Sequence, residues 1–332
     1  MLPQWNRNPP FNITRASHVV LTSRDLAASR DFYTQVVGLV LTEETPDVLY
    51  LRGLEEAAHH SVLIQRISAD EPSCRAVGFR VGDEEDLEKA LRYFRSRNVS
   101  VQELSVPHQG RTIRIIDPVG SVVELCATME VAPRFMQDFH LFRGGSPQRL
   151  DHFQLVTYDV QSATDFYAEL GFRVAEYTTG TDDQLWGSWL ERKGNTHDLV
   201  FTNGHGPQLH HFAFTTPDAN SLIHACDVSS SLRAGDIIDR GPGRHGISNA
   251  LFVYFRDPDG HRIELFTSHY QFIDIEAPPI RWDISDPRRA QLWGFPASRR
   301  WFFEASVFEN SPVKEPLLKA DVPTLEAYLA GT

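Results

Sequence analysis

Only three cysteines, Cys74, Cys126 and Cys226, occur in 332 residues, far apart and without a CxxC pair. They make neither a disulfide framework nor a thiolate metal cluster, and they fit reduced thiols in a cytoplasmic protein. Basic charge is short as well. Thirty-two Lys and Arg against 44 Asp and Glu leave a formal net charge of -12, with no basic stripe. Nucleic acid and anionic membrane surfaces are therefore not expected as partners. No apolar run approaches the roughly 20 residues that cross a bilayer. The opening MLPQWNRNPPFN lacks the basic and apolar segments of a secretory signal. The Gly-rich stretch GPGRHG at 241–246 has no strand–GxGxxG–helix context, which excludes a phosphate cradle there.

What is present is a core-forming composition, 41% hydrophobic and 23% charged, and an internal repeat. SHVVLTSRDLAASRDFYTQVVGLV at 17–40 matches DHFQLVTYDVQSATDFYAELGFR at 151–173. In each, a histidine opens an alternating stretch and an acidic residue follows (Asp25, Asp159). A DFY triplet and a glycine (Gly38, Gly171) come next. This pattern predicts a strand, a capped amphipathic helix and a Gly turn into another strand. DPVGSVVEL at 117–125 and DPDGHRIEL at 257–265 close the two halves, each a Pro-Gly turn entering a strand. DEEDLEKALRYFRSR at 83–97 reads as a further amphipathic helix.

The expectation is an α+β protein of four modules, at roughly 15–67, 73–130, 149–205 and 208–270. Residues 1–14 would be an extension, 15–130 a structural amino-terminal domain and 131–148 a linker. Residues 149–270 would form the domain with the site, and 271–332 a tail and lid.

Three ligand-type residues lie in the second half: His152, His211 and Glu264. They are separated by 59 and 53 residues, which fits one ligand per strand and not a compact zinc motif. Side chains alternate along a strand. Aligning His-Phe-x-apolar in two strands selects His211 and sends His210 to the opposite side. Two imidazoles and one carboxylate form the ligand set of a non-haem Fe(II) site with open positions. In the first half, His18 matches His152 and Glu124 matches Glu264, but Ala76 stands where His211 would. That copy should bind metal poorly.

With RLDHF (149–153), GPQLHHFAF (206–214), RGPGRHGISNA (240–250) and YFRDPDGHRIELF (254–266), the chain resembles the vicinal oxygen chelate superfamily. Within it, the similarity is to type I extradiol catechol dioxygenases of the homoprotocatechuate 2,3-dioxygenase kind, from about residue 15 to 305. The resemblance implies two domains, each of two βαβββ modules. It implies Fe(II), with Mn(II) as the alternative, on His152, His211 and Glu264. It further implies an acid/base histidine at His197, hydrogen bonds to substrate from His245 and Tyr254, a pocket wall at Trp189, and Arg240 near a substrate side chain. The implied reaction is ring opening beside a catechol diol by O2, giving a muconic semialdehyde, in a homotetramer.

Two positions depart from those relatives. Gln154 stands where they carry asparagine, on the face of the first ligand and toward substrate. In DPRRAQLWG (286–294), Arg289 matches the first of a pair of arginines and Ala290 the second, so a bidentate grip on a substrate carboxylate is in question. A shorter tail predicts a different lid. Two other readings compete. A glyoxalase-like isomerase would want a second carboxylate ligand, and a metal-free binding protein would show a broken triad.

Overall fold

In each of the four modules an aspartate ends a strand and opens a helix. Asp25, Asp83, Asp159 and Asp218 each accept hydrogen bonds from backbone N–H groups of the first helical turn. Short acidic side chains satisfy the orphan donors of a helix start, which fixes where strand gives way to helix. Gly38 and Gly171, both near φ +90°, then turn the chain back toward the sheet, a conformation that L side chains rarely adopt.

The computed structural model describes residues 1–68, 71–180, 182–233, 235–319 and 324–330. The first module holds β1 (Ile13–Ser23), α1 (Leu26–Asp31), β2 (Val40–Glu44), β3 (Val48–Arg52) and β4 (Val62–Arg66). The second holds β5 (Cys74–Val81), α2 (Glu84–Ser96), β6 (Val101–Leu104), β7 (Thr112–Ile116) and β8 (Val122–Cys126). Together they make a sheet of order β2-β3-β4-β1-β5-β8-β7-β6. The third module holds β9 (Arg149–Thr157), α3 (Val160–Glu169), β10 (Arg173–Thr179), β11 (Leu185–Glu191) and β12 (Leu199–Asn203). The fourth holds β13 (Gln208–Thr215), α4 (Ala219–Ser231), β14 (Ile238–Arg244), β15 (Leu251–Arg256) and β16 (Arg262–Thr267). The second sheet runs β14-β15-β16-β13-β9-β12-β11-β10, so the two halves repeat one topology. This is the α+β architecture of paired βαβββ modules.

After residue 270 the chain adds to this sheet. Strand β17 (Ile280–Asp283) pairs parallel to β10, and β18 (Ser306–Val307) pairs antiparallel to β13. Between them, α5 (Arg299–Phe303) carries a buried Trp301. The Gly-rich stretch 240–244 is the end of β14. Its bulges between Arg240 and Gly243 break the alternation by which strands are recognised. The linker is likewise tied down: Ala58 bridges Val131, and residues 139–141 form a 3-10 turn.

The two halves clamp each other through the two sequence motifs. Tyr33 of the first DFY donates to Asp257 of the second turn at 2.9 Å, and Tyr167 donates to Asp117 of the first at 3.1 Å. Both carboxylates are buried, and burial pushes Asp117 up to about 6. Phe79 packs edge-on against Phe153 and Phe172, so the halves share one apolar core. No helix among the described residues is long and apolar enough to cross a membrane.

Candidate metal centre and active site

Register across four strands places the site. Antiparallel pairing sets His152 on β9 opposite Ala213 on β13, with His211 opposite Gln154. Parallel pairing sets Ala213 beside Glu264 on β16, and Glu264 faces Tyr254 on β15. The row therefore reads His152–Ala213–Glu264–Tyr254, and the small Ala213 leaves space above it. His152 Nε2 lies 3.1 Å and His211 Nε2 3.2 Å from Glu264 Oε2, all three residues buried. Bonds of about 2.2 Å at right angles would hold donors about 3.1 Å apart, as on one face of an octahedral ion. Donor types and spacing thus fit a divalent ion with open positions.

Hydrogen bonds outside the triad fix which nitrogen faces it. Asp151 accepts from His152 Nδ1 at 3.0 Å and is itself held by Asn195 at 3.1 Å, with Lys193 3.5 Å away. Burial opposes ionisation of Asp151, yet Lys193 and His152 hold its carboxyl far below the usual range. Burial lowers His211 to about 4 despite Glu264, whereas Asp151 and Glu264 outweigh burial at His152 and raise it, so an ion would have to displace a proton there.

His210 does not turn away as the alternation predicts. A bulge between Leu209 and His211 leaves it unpaired on the strand, and its Nδ1 approaches His211 Nδ1 to 2.8 Å. Its Nε2 donates to the Trp301 carbonyl at 3.0 Å. A carbonyl only accepts, so the His210 proton sits on Nε2. Its Nδ1 then accepts from His211, freeing His211 Nε2 for an ion.

The triad opens into a cavity of about 490 Å³ lined by Gln154, Trp189, His197, Arg240, His245 and Tyr254, among others. All the residues expected at the site are thus brought to one cavity. The His197 ring lies 4.1 Å from that of His152, and its Nδ1 meets Thr196 Oγ1 at 2.8 Å. Burial, then His152, lowers it well below 6.5, which favours the neutral imidazole. His245 Nδ1 donates to the Ala290 carbonyl at 2.6 Å. Its Nε2 can then accept from the Tyr254 hydroxyl at 2.9 Å. Burial, then Glu264, keeps Tyr254 protonated. Gln154 donates to Thr202 at 3.2 Å, which leaves its carbonyl oxygen as an acceptor.

Arg240 is buried, stacks over Trp301 and Phe252, and donates to the Ala290 carbonyl at 3.1 Å. Its Nε has no partner among the described residues. Arg289 also lines the cavity. Trp301, which closes over Tyr254 and His210 at 4.5 Å from each, escaped sequence reasoning. It lies in the unrepeated tail, and no local pattern marks it.

The first half keeps the row but changes its chemistry. His18 faces Gly78, Gly78 lies beside Glu124, and Arg114 stands where Tyr254 does. His18 Nε2 contacts Glu124 at 2.9 Å and Arg114 reaches it at 2.7 Å. Burial opposes the charge on His18, but Cys126 and Glu124 outweigh it and raise the imidazole to about 9. A cationic imidazole and a guanidinium thus occupy the carboxylate that an ion would need.

The model of the Glyoxalase/Bleomycin resistance protein/Dioxygenase superfamily matches residues 15–125 and 149–265. The chain belongs to that superfamily and, within it, to the extradiol ring-cleaving dioxygenases. A homoprotocatechuate 2,3-dioxygenase from Brevibacterium fuscum, solved with 3,4-dihydroxyphenylacetate, is 36% identical with a TM-score of 0.88, covering 94% of this chain and 99% of that one. The homoprotocatechuate 2,3-dioxygenase of Arthrobacter globiformis is 36% identical at a TM-score of 0.89, covering 93% and 98%. A manganese-dependent 2,3-dihydroxybiphenyl 1,2-dioxygenase of Geobacillus genomosp. 3 is 28% identical, covering 85% of this chain and 93% of its own.

Proposed function

We propose that this chain cleaves a substituted catechol beside its diol, inserting both atoms of O2 to give a muconic semialdehyde. The substrate would be 3,4-dihydroxyphenylacetate or a catechol with a similar anionic side chain. The observation that carries the reading is the buried His152–His211–Glu264 face opening onto a cavity that also holds a neutral histidine. Fe(II), or Mn(II) in its place, would sit on those three residues and supply a Lewis acid and an electron relay between catecholate and O2.

The protein groups then handle protons and orientation. His197 is close to the triad and held toward its neutral form, so it would take a proton from the catechol and hold it for return to the reacting oxygen. Tyr254 and His245 form a hydrogen-bonded pair beside Glu264, placed to fix the diol oxygens. Trp189 and Ile247 pack together as an apolar wall, which suits an aromatic ring and limits water. Arg240 and Arg289 support a carboxylate-bearing substituent, even with Ala290 in place of a second arginine of the tail pair. The single carboxylate in the triad disfavours an isomerase with two. A homotetramer in the cytoplasm completes the proposal, the three unpaired cysteines fitting a reducing compartment.

The test is anaerobic reconstitution with Fe(II), then air and a panel of 3,4-dihydroxyphenylacetate, 4-methylcatechol and 2,3-dihydroxybiphenyl. A yellow ring-fission product with stoichiometric oxygen uptake is expected, with the highest kcat/KM for the carboxylated catechol. No product from any of the three with iron bound would end the dioxygenase reading. A preference for the neutral rings would end the anionic-substrate reading alone.

A further inference from the structure

The first half carries a second cluster of metal-ligating side chains, outside the His18–Glu124 row. Glu43 lies near the end of β2, His59 precedes β4, and His108 lies between β6 and β7. One donor atom from each falls within 4.8 Å of the other two. His108 Nε2 is 3.1 Å and His59 Nε2 3.6 Å from the same oxygen, Glu43 Oε2. A tetrahedral ion with bonds of about 2.1 Å holds its ligands about 3.4 Å apart, between those two distances. The imidazole rings lie parallel, 3.9 Å apart, with both Nε2 atoms near the carboxylate, so the rings must tilt toward each other to share one ion.

The surroundings resemble the outer hydrogen bonds of a metal site more than a surface ion pair. Glu130 contacts His108 Nδ1 at 2.8 Å, the carboxylate–histidine arrangement that sets tautomer and raises ligand basicity. Main-chain bonds lace the segments together, from His59 N–H to the Glu130 carbonyl at 2.9 Å and from Glu130 N–H to the His108 carbonyl at 2.8 Å. His108 is held at φ +60°, uncommon outside glycine, which those bonds enforce. Tyr50 presents its edge to both rings, at 5.2 and 5.3 Å. Behind them, His60 is fully buried, with Nδ1 3.3 Å from His59 Nδ1 and Nε2 without a partner among the described residues. Glu43 and His108 remain partly exposed, so an ion can enter from solvent.

We propose that Glu43, His59 and His108 bind a divalent transition ion, zinc first, with water as the fourth ligand. Imidazole nitrogens suit zinc, copper and nickel, and the single carboxylate with an open position suits four-coordinate zinc. The ion joins β2 to two loops at the mouth of the first sheet. Its role is structural, and it stands apart from the ring-cleaving centre.

The test takes the untagged, Fe(II)-loaded enzyme, adds one to three equivalents of Zn(II), dialyses it, and counts both metals per chain by mass spectrometry. One iron and one zinc are expected, together with a rise of a few degrees in melting temperature. Glu43→Gln and His108→Ala should each keep the iron and the ring-cleaving rate but lose the zinc and the thermal shift. Glu43→Gln preserves shape, and retained iron and activity certify folding. The proposal fails if total metal stays at one per chain, as when zinc merely displaces iron. It fails equally if both variants still take up the second ion.

Discussion

His210 and His211 meet through their Nδ1 atoms at 2.8 Å, although they are consecutive on one strand. The contact passes a fixed tautomer from the Trp301 carbonyl to His211 of the candidate triad. Replacing His210 by Ala should therefore weaken iron binding about 10- to 100-fold, the usual effect of losing a ligand's hydrogen-bond partner. Equilibrium dialysis of the anaerobic protein measures it. Unchanged affinity would show that His211 needs no such partner.

His197→Gln should lower kcat by about 100- to 10,000-fold, the range of a lost acid/base group, with KM nearly unchanged. Iron content should stay at the level of the parent protein, because His197 is not in the ligand triad. A rise in KM with kcat preserved would instead make His197 a binding residue.

His211→Ala should abolish iron binding, whereas His18→Ala should leave it intact and cost stability. Breaking a buried ion pair by removing one partner costs about 3–5 kcal/mol. The pH sign follows from His18, raised from 6.5 to about 9 in the fold. Its contribution is complete below pH 6.5 and is lost as pH rises through about 9. Urea melts of the parent and the His18→Ala variant should thus converge as pH rises across that window. Equal iron loss in the two alanine variants would refute a single ring-cleaving centre.

Tyr33→Phe and Tyr167→Phe should each destabilise the chain by about 1–3 kcal/mol, because each leaves a buried carboxylate short of a donor. Asp117 is raised from 3.8 to about 6, so its folded form holds a proton that the unfolded chain has released. Stability therefore falls as pH rises from about 4 to 6 through this group, and Tyr167→Phe should steepen the fall. Denaturant midpoints at pH 4 and pH 7 decide it; a flat difference would exclude the clamp.

Much of the fold is legible because its punctuation is local. Aspartate caps, DFY helices and Asp-Pro-x-Gly turns act within a few residues, so their recurrence reveals the modules. The triad is legible for a similar reason: alternation along β9, β13 and β16 orders side chains by face. His210 is misread because one bulge residue changes that parity without any sequence mark. The strand at 240–244 carries no sequence mark, because glycine, proline and its bulges break the alternation.

Two histidines, a glutamate and a damaged copy of their setting were readable from the chain alone, since ligand chemistry belongs to residue types and strand parity. Only the tertiary structure decided what stands beside each copy. Register puts Tyr254 next to Glu264 but Arg114 next to Glu124, and the tail lays Trp301 over the second half. Those neighbours come from distant strands, and the charge they bring decides whether a buried carboxylate is left for an ion or neutralised by the protein.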